Sequence, residues 1–219
     1  MTVDKIEVVA PLRVSSSKIH QFVTFQQDWV VSAKEKITKQ AQMIKKIAPI
    51  KFVDGAEVPF RGELNKLSFK YVNSSKKIRI ELSNKTFMVY LSSEIAEASV
   101  SDLVKLALTD WMKCQVAKDV EAVVLIHAKK YNLYPRFIKI KTQKSRWGSC
   151  GIHDDINLNW LLILAPVKVL EYVVVHEICH IKERNHSARF WSLVEMHCPD
   201  YQEQRLWLKK NGQSLMQGL

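Results

Sequence analysis

The spacing of apolar residues changes along the chain and predicts a mixture of strands and helices. Residues 136–142 alternate, with Ile138 and Ile140 on one side and Lys139 and Lys141 on the other, which predicts a half-buried strand. Residues 101–131 instead carry Leu103, Leu106, Ala107, Val116, Val120, Val123 and Val124 at helical steps. They predict a long amphipathic helix, with Ser99 and Asp102 at capping-box spacing before it. Residues 18–46 predict an earlier helix through Phe22, Phe25, Trp29, Val30 and Ala33, opened by the serines at 15–17 and closed by Pro49. Residues 6–14 are β-rich and predict a short strand broken at Pro11. Residues 50–95 predict a small β-meander, with strands at 51–53, 57–60, 67–72, 78–82 and 86–91. Its turns fall at Asp54-Gly55, at Asn73 with the two serines that follow, and at Ser83-Asn84.

The carboxy-terminal part is more apolar. Residues 156–164 predict a further strand, and Trp147-Gly148-Ser149-Cys150 a compact turn or strand edge. Pro166 suits a helix start, and residues 167–183 predict a helix apolar on most of its circumference. Leu170, Val174, Ile178 and Ile181 form one stripe. His176 and His180 stand roughly opposite, on the side shared by Val169, Tyr172 and Val173. Such a helix is a buried one, so its few polar residues have a purpose. The stretch 161–175 is 15 residues long and holds Lys168 and Glu171, too short and too charged for a membrane span. Two more helices are predicted, one from Ser187 and one from Pro199-Asp200 to Asn211-Gly212.

His176-Glu177-Ile178-Cys179-His180 carries the chemistry. Residues four apart on a helix are separated by only about 40° around its axis, so the two imidazoles point the same way. Together they can hold one Zn²⁺, with Glu177 as general base to a zinc-bound water. The plain alternative is a pair of part-buried histidines beside a salt-bridged glutamate. His186 is the candidate third ligand. A continued helix would carry it about 120° away from His180. The helix is therefore expected to stop near Glu183 or Arg184 and turn back, with Asn185 suited to a left-handed turn. Glu183, Glu195, His197 and His153 compete for the same role. The histidine spacing equals that of metzincins, but Glu183 stands where those place Gly.

Composition adds a charge argument. The 219 residues carry a formal net charge of +11, which suggests an anionic partner or substrate. Lys129, Lys130, Arg136, Lys139, Lys141, Lys144 and Arg146 fall in a stretch without acidic residues. This basic run at 129–146 can guide nucleic acid, a nucleotide or an acidic peptide, or it can be a solvated face. Cys114, Cys150, Cys179 and Cys198 form no CxxC pair and read as reduced thiols of a cytoplasmic protein, and residues 1–5 begin no signal peptide. Trp29, Trp111, Trp160 and Trp207 read as core residues, whereas Trp147 and Trp191 are candidates to line a cleft.

Several segments together carry a resemblance. They are Arg146-Trp-Gly-Ser-Cys, Ile156-Asn-Leu-Asn-Trp, Ala165-Pro166, Tyr172-Val-Val-Val-His-Glu-Ile-Cys-His and Asn185-His-Ser-Ala-Arg-Phe-Trp. Nearer the start are Val9-Ala-Pro-Leu-Arg-Val, Trp29, Asp54-Gly55 and Pro59-Phe-Arg-Gly. The chain resembles the YgjP-like metallopeptidase family, related to the WLM and SprT-like metalloproteases. The resemblance implies a compact zincin-like α+β fold with one active-site helix. It also implies zinc held by His176, His180 and His186, with Glu177 catalytic.

The expected layout is an α+β region at 1–98, with a small β-meander and a helix. A mostly helical zincin-like metallopeptidase domain is expected at 99–219. The expected function is a zinc-dependent hydrolase, most directly a peptidase, with Arg146, Trp147, Gly148, Ser149 and Tyr172 near the substrate. An extended peptide can add to the strand edge at 147–150. The rivals are metal-dependent hydrolysis of nucleotides or nucleic acid, and a nucleic-acid-binding module with a structural zinc.

Overall fold

A computed structural model describes residues 7–43, 47–73 and 78–219. Its contacts fall into two units, Met1–Lys45 and Lys46–Leu219. The expected boundary at 98/99 lies inside the second unit, where the long helix that opens at Glu97 packs against a strand of the preceding sheet.

In the first unit, helix α1 is Ser16–Phe25 and α2 is Gln27–Met43. The single helix expected over 18–46 is thus interrupted at Gln26, and its end at 44–46 lies outside the described residues. Of the strand expected at 6–14, residue 6 lies outside the described residues and 7–14 form no strand. Pro11 lacks an N–H and fixes its φ, and the described residues 11–14 close a turn through the Val14 amide on the Pro11 carbonyl at 3.0 Å. Trp29, expected in a core, is exposed, as are Phe22 and Phe25.

The second unit opens with β1 Glu57–Phe60, β2 Glu63–Val72, β3 Arg79–Ser83 and β4 Thr86–Ser92. No strand forms at 51–53. Phe52 is instead buried singly, its amide donating to Ser101 Oγ at 3.0 Å. The sheet order is β1-β2-β4-β3, with β2 and β4 parallel, so the expected meander is corrected. The reason is polarity. Phe87, Val89 and Leu91 of β4 are all fully buried, so β4 takes a central place. Charged Arg79 and Glu81 put β3 at the edge, where polar side chains discourage further pairing. The expected turn beginning at Asn73 lies largely outside the described residues.

Helix α3 spans Glu97–Tyr131. It starts before the predicted capping box, after Ala96, whose side chain cannot cap. Its buried stripe is Val100, Val104, Leu108, Met112, Val116 and Val120, a strict four-residue step. Leu103 and Leu106, expected in that stripe, are exposed. Trp111 meets Phe60 and Phe87 of the sheet at 5.4 Å between ring centroids. Asn132 caps the helix in the left-handed conformation, which Asn adopts at little cost.

A second sheet follows, made of β5 Phe137–Lys141, β6 Gly148–Cys150 and β7 Asp155–Asn159 in the order β5-β7-β6. The strand expected to run on to 164 stops at Asn159, whose side chain accepts from the Leu161 amide and donates to the Gln143 and Arg146 carbonyls. Residues Trp160–Leu164 wind into a 3₁₀ turn, all buried. An unbroken apolar run has no polar face to keep outside, so periodicity alone could not tell strand from helix. Helices α4 Val167–Cys179, α5 Ala188–His197 and α6 Tyr201–Leu215 complete the α+β chain. The last runs past its expected end at Gly212. Helix α4 packs against α3, α5, α6 and β6, which places it at the centre of this unit. No described helix is long and apolar enough to cross a membrane.

Candidate metal centre

Helix α4 is buried along Val169, Leu170, Val173, Val174, Val175 and Ile178, so both the expected core stripe and much of the opposite face are covered. The helix ends at Cys179, one turn earlier than expected, yet His180 keeps helical dihedrals (φ −66°, ψ −16°). The four-residue geometry of the two histidines therefore survives. The chain then tightens, with the Ile181 amide on the Ile178 carbonyl and the Lys182 amide on Cys179. This tightening reverses the chain, and Asn185 is not left-handed as expected. Asn185 Oδ1 accepts from the Ser187 amide at 3.2 Å, and Ser187 Oγ accepts from the Phe190 amide at 3.4 Å, starting α5. His186 is held between these two caps.

The three imidazoles converge. Ring centroids lie 4.9 Å apart for His176 and His180, 5.0 Å for His176 and His186, and 4.8 Å for His180 and His186. One ligand atom from each lies within 4.8 Å of the others, so together they could hold a metal ion. His176 and His186 bring their Nε2 atoms to 3.0 Å. Phe190, fully buried, forms the floor, 4.9, 4.5 and 4.9 Å from the rings of His176, His180 and His186. Trp191 lies 5.8 Å from His176 and stacks on His186 at 5.7 Å, in keeping with its expected place by the cleft.

For His176 and His180 the electrostatics favour neutral rings. Burial, with His180, His186 and Arg205 adding to it, lowers the pKa of His176 to about 3. Burial also lowers His180, opposed by its Nδ1 hydrogen bond to the Glu183 carbonyl at 3.0 Å. That bond directs the other nitrogen, Nε2, toward the centre. Glu177 is 6 % exposed, and burial raises its pKa to about 7. Its carboxylate rests against the backbone of Gly148, where an added Cβ would meet Oε1 at 2.6 Å.

The other predicted site residues are distributed as follows. Tyr172 is buried, edge-on to His176 at 5.9 Å, and burial raises its phenol to about 12. Trp147 packs on Gly212 of α6, Ser149 Oγ takes a 3.4 Å bond from Asn157, and Arg146 is exposed. Of the competing ligands, Glu183 gives its backbone carbonyl to His180, and His197 pairs with His127 at 3.2 Å. Neither Glu195 nor His153 belongs to the cluster. In the basic run Arg136 forms a two-pronged pair with Asp155, while Lys139 and Lys141 point outward from β5. The four cysteines are free thiols.

Sequence reasoning did not assign Phe190 its place beneath the three histidines. Its only sequence signal is its position four residues after His186. The family model described as YgjP-like, metallopeptidase domain, matches residues 2–211. No curated protein matches the chain.

Proposed function

The chain belongs to the YgjP-like metallopeptidase family, and we propose that it is a zinc peptidase with His176, His180 and His186 as ligands and Glu177 as general base. Membership makes it a metal-dependent hydrolase of the peptidase type, with peptides or proteins as substrates. The convergence of three imidazoles beside a buried carboxylate carries the finer reading.

The residues present suit zinc. Three nitrogen donors leave a fourth position open, as in catalytic rather than structural sites. The 3.0 Å between the Nε2 atoms of His176 and His186 is close to the roughly 3.3 Å edge of a tetrahedron with zinc–nitrogen bonds near 2.0–2.1 Å. The Glu183 carbonyl fixes the orientation of the His180 ring, the support such ligands commonly receive.

Zinc bound there would polarise the scissile carbonyl and acidify a water molecule. Glu177 does the proton work. Among the described residues no donor pairs with its carboxylate, and a pKa lifted by burial makes it a better base. It takes a proton from the attacking water and passes it to the leaving amine. Tyr172 keeps its phenolic proton and offers it toward the oxygen on which charge develops. Strand β6 lies at the edge of its sheet, with Gly148 against Glu177. An extended substrate that added to this edge would run past the carboxylate.

The test combines metal analysis with turnover. The purified protein is expected to hold about one zinc per chain. Glu177→Gln is expected to keep the zinc and lose about 10²- to 10⁴-fold in peptide hydrolysis. Hydrolysis of nucleotides without hydrolysis of any peptide would overturn the reading.

A further inference from the structure

Arg205 stands beside the histidine cluster without an anionic partner. Its guanidinium lies over the Trp191 ring, 4.5 Å from the centroid. Trp191 in turn stacks on His186 at 5.7 Å, and on Tyr201, one turn before Arg205 on α6, at 5.5 Å. Five other arginines of this unit are neutralised: Arg61 by Asp119, Arg79 by Glu81, Arg136 by Asp155, Arg184 by Asp154 and Arg189 by Glu183; Arg146, exposed, is the other one without an ion pair among the described residues, and no ring contact ties it to the histidines. Among the described residues, no carboxylate or carbonyl pairs with Arg205. The nearby Asp200 is already taken by Lys168 and Gln204.

This arrangement has a physical consequence. Stacking on an indole occupies the face of a guanidinium and leaves its in-plane N–H donors pointing outward. A fixed cation beside a site built to take a metal cation is repulsive until an anion joins them. A planar carboxylate fits the guanidinium fork through two parallel hydrogen bonds.

We infer that Arg205 recognises a carboxylate of the substrate close to the bond that is cut. The two ring contacts of 4.5 and 5.7 Å limit how far the guanidinium can lie from His186. One residue of extended chain spans about 3.3–3.6 Å, so the carboxylate belongs within about three residues of the scissile bond. It comes either from the carboxy-terminal end of a peptide or from an Asp or Glu side chain. This assignment rests on the peptidase reading and makes Arg205 a determinant of specificity.

Three peptides of one core sequence separate the sources: a free carboxy terminus, an amidated terminus with one acidic side chain, and an amidated neutral form. The wild type is expected to prefer one carboxylate form over the neutral form by roughly tenfold in kcat/KM, mainly through KM. In Arg205→Ala that ratio should collapse toward one, and Arg205→Lys should recover part of it. A uniform loss of kcat on all three peptides would assign Arg205 to the oxyanion instead and overturn the inference. An unchanged preference in Arg205→Ala would overturn it as well.

Binding supplies a readout that needs no turnover. Zinc-loaded Glu177→Gln protein is titrated with the same peptides, following the fluorescence of its tryptophans. Tighter binding of a carboxylate form that disappears in Glu177→Gln/Arg205→Ala supports the inference, and equal binding of all forms overturns it. If no peptide is cleaved by the wild type, the peptidase reading fails, while this titration still decides the role of Arg205.

Discussion

Gly148 and Glu177 touch so closely that the glycine is part of the carboxylate's seat. A Cβ at 148 would fall 2.6 Å from Oε1 and 2.7 Å from Cγ of Glu177. Neither the strand nor the buried helix α4 can retreat freely, since each is packed on its other side. Gly148→Ala is therefore expected to push the carboxylate from its place. Peptide turnover should fall at least tenfold while zinc content holds, because His176 and His180 leave α4 on a different face from Glu177 and His186 lies on the following loop. Wild-type kcat/KM in this variant would show that the contact has no role.

The third ligand is tested by removing it. His186→Ala is expected to lose zinc, or to bind it at least tenfold more weakly, in a competition assay with a chelator. Glu195→Ala should retain it, since Glu195 is exposed and outside the cluster. The opposite pattern would move the third ligand from the loop to α5.

Burial raises Glu177 to about 7 in the absence of metal, and the sign of its effect on stability follows. Between the ordinary carboxyl pKa and about 7 the folded chain holds a proton that the unfolded chain has released. Stability contributed by this group is therefore full below about pH 4.5 and falls as pH rises to about 7. The loss is on the order of 3 kcal/mol. In chelator-stripped protein, Glu177→Gln should match wild type near pH 4.5 and exceed it near pH 8. Denaturant unfolding at the two pH values measures the difference. An equal gap at both would contradict it.

His127 is buried and bonds to His197 at 3.2 Å and to Glu171 at 3.0 Å, joining α3, α5 and α4. His127→Ala leaves a cavity and strips His197 Nδ1 of its partner. A loss of about 3 kcal/mol in unfolding free energy is expected, with zinc content preserved in the folded fraction. A loss below about 1 kcal/mol would mean that the surroundings close over the gap.

What could be read from sequence was local. The pairing of His176 with His180 depends on helical spacing alone, and His186 followed because a continued helix could not bring it back. Trp191 was legible as a residue of the cleft, but the way Phe190, Trp191 and Arg205 converge on the same point comes from the packing of α5 and α6, which no spacing records. The first sheet shows the same limit. Its strands were located within a few residues, but β4 inserts between β2 and β3 because it is the most apolar of them. That competition is settled between segments and not within one. The buried run Trp160–Leu164 illustrates another limit, since an apolar stretch without a polar face carries no period to tell strand from helix.

The turn between β1 and β2 meets the loop that leads into α4. Arg61 and Gly62 donate their amides to the carbonyls of Ile163 and Leu164, and a Cβ on Gly62 would strike Pro166 Cγ at 2.8 Å. These partners are separated by about a hundred residues of chain, a contact of high sequence separation that is slow to close. During synthesis the hairpin emerges long before its acceptors exist, and its tip must wait in water until the later helices arrive. The tip of the first hairpin and the entry into α4 are thus tied to each other, so neither can be completed without the other.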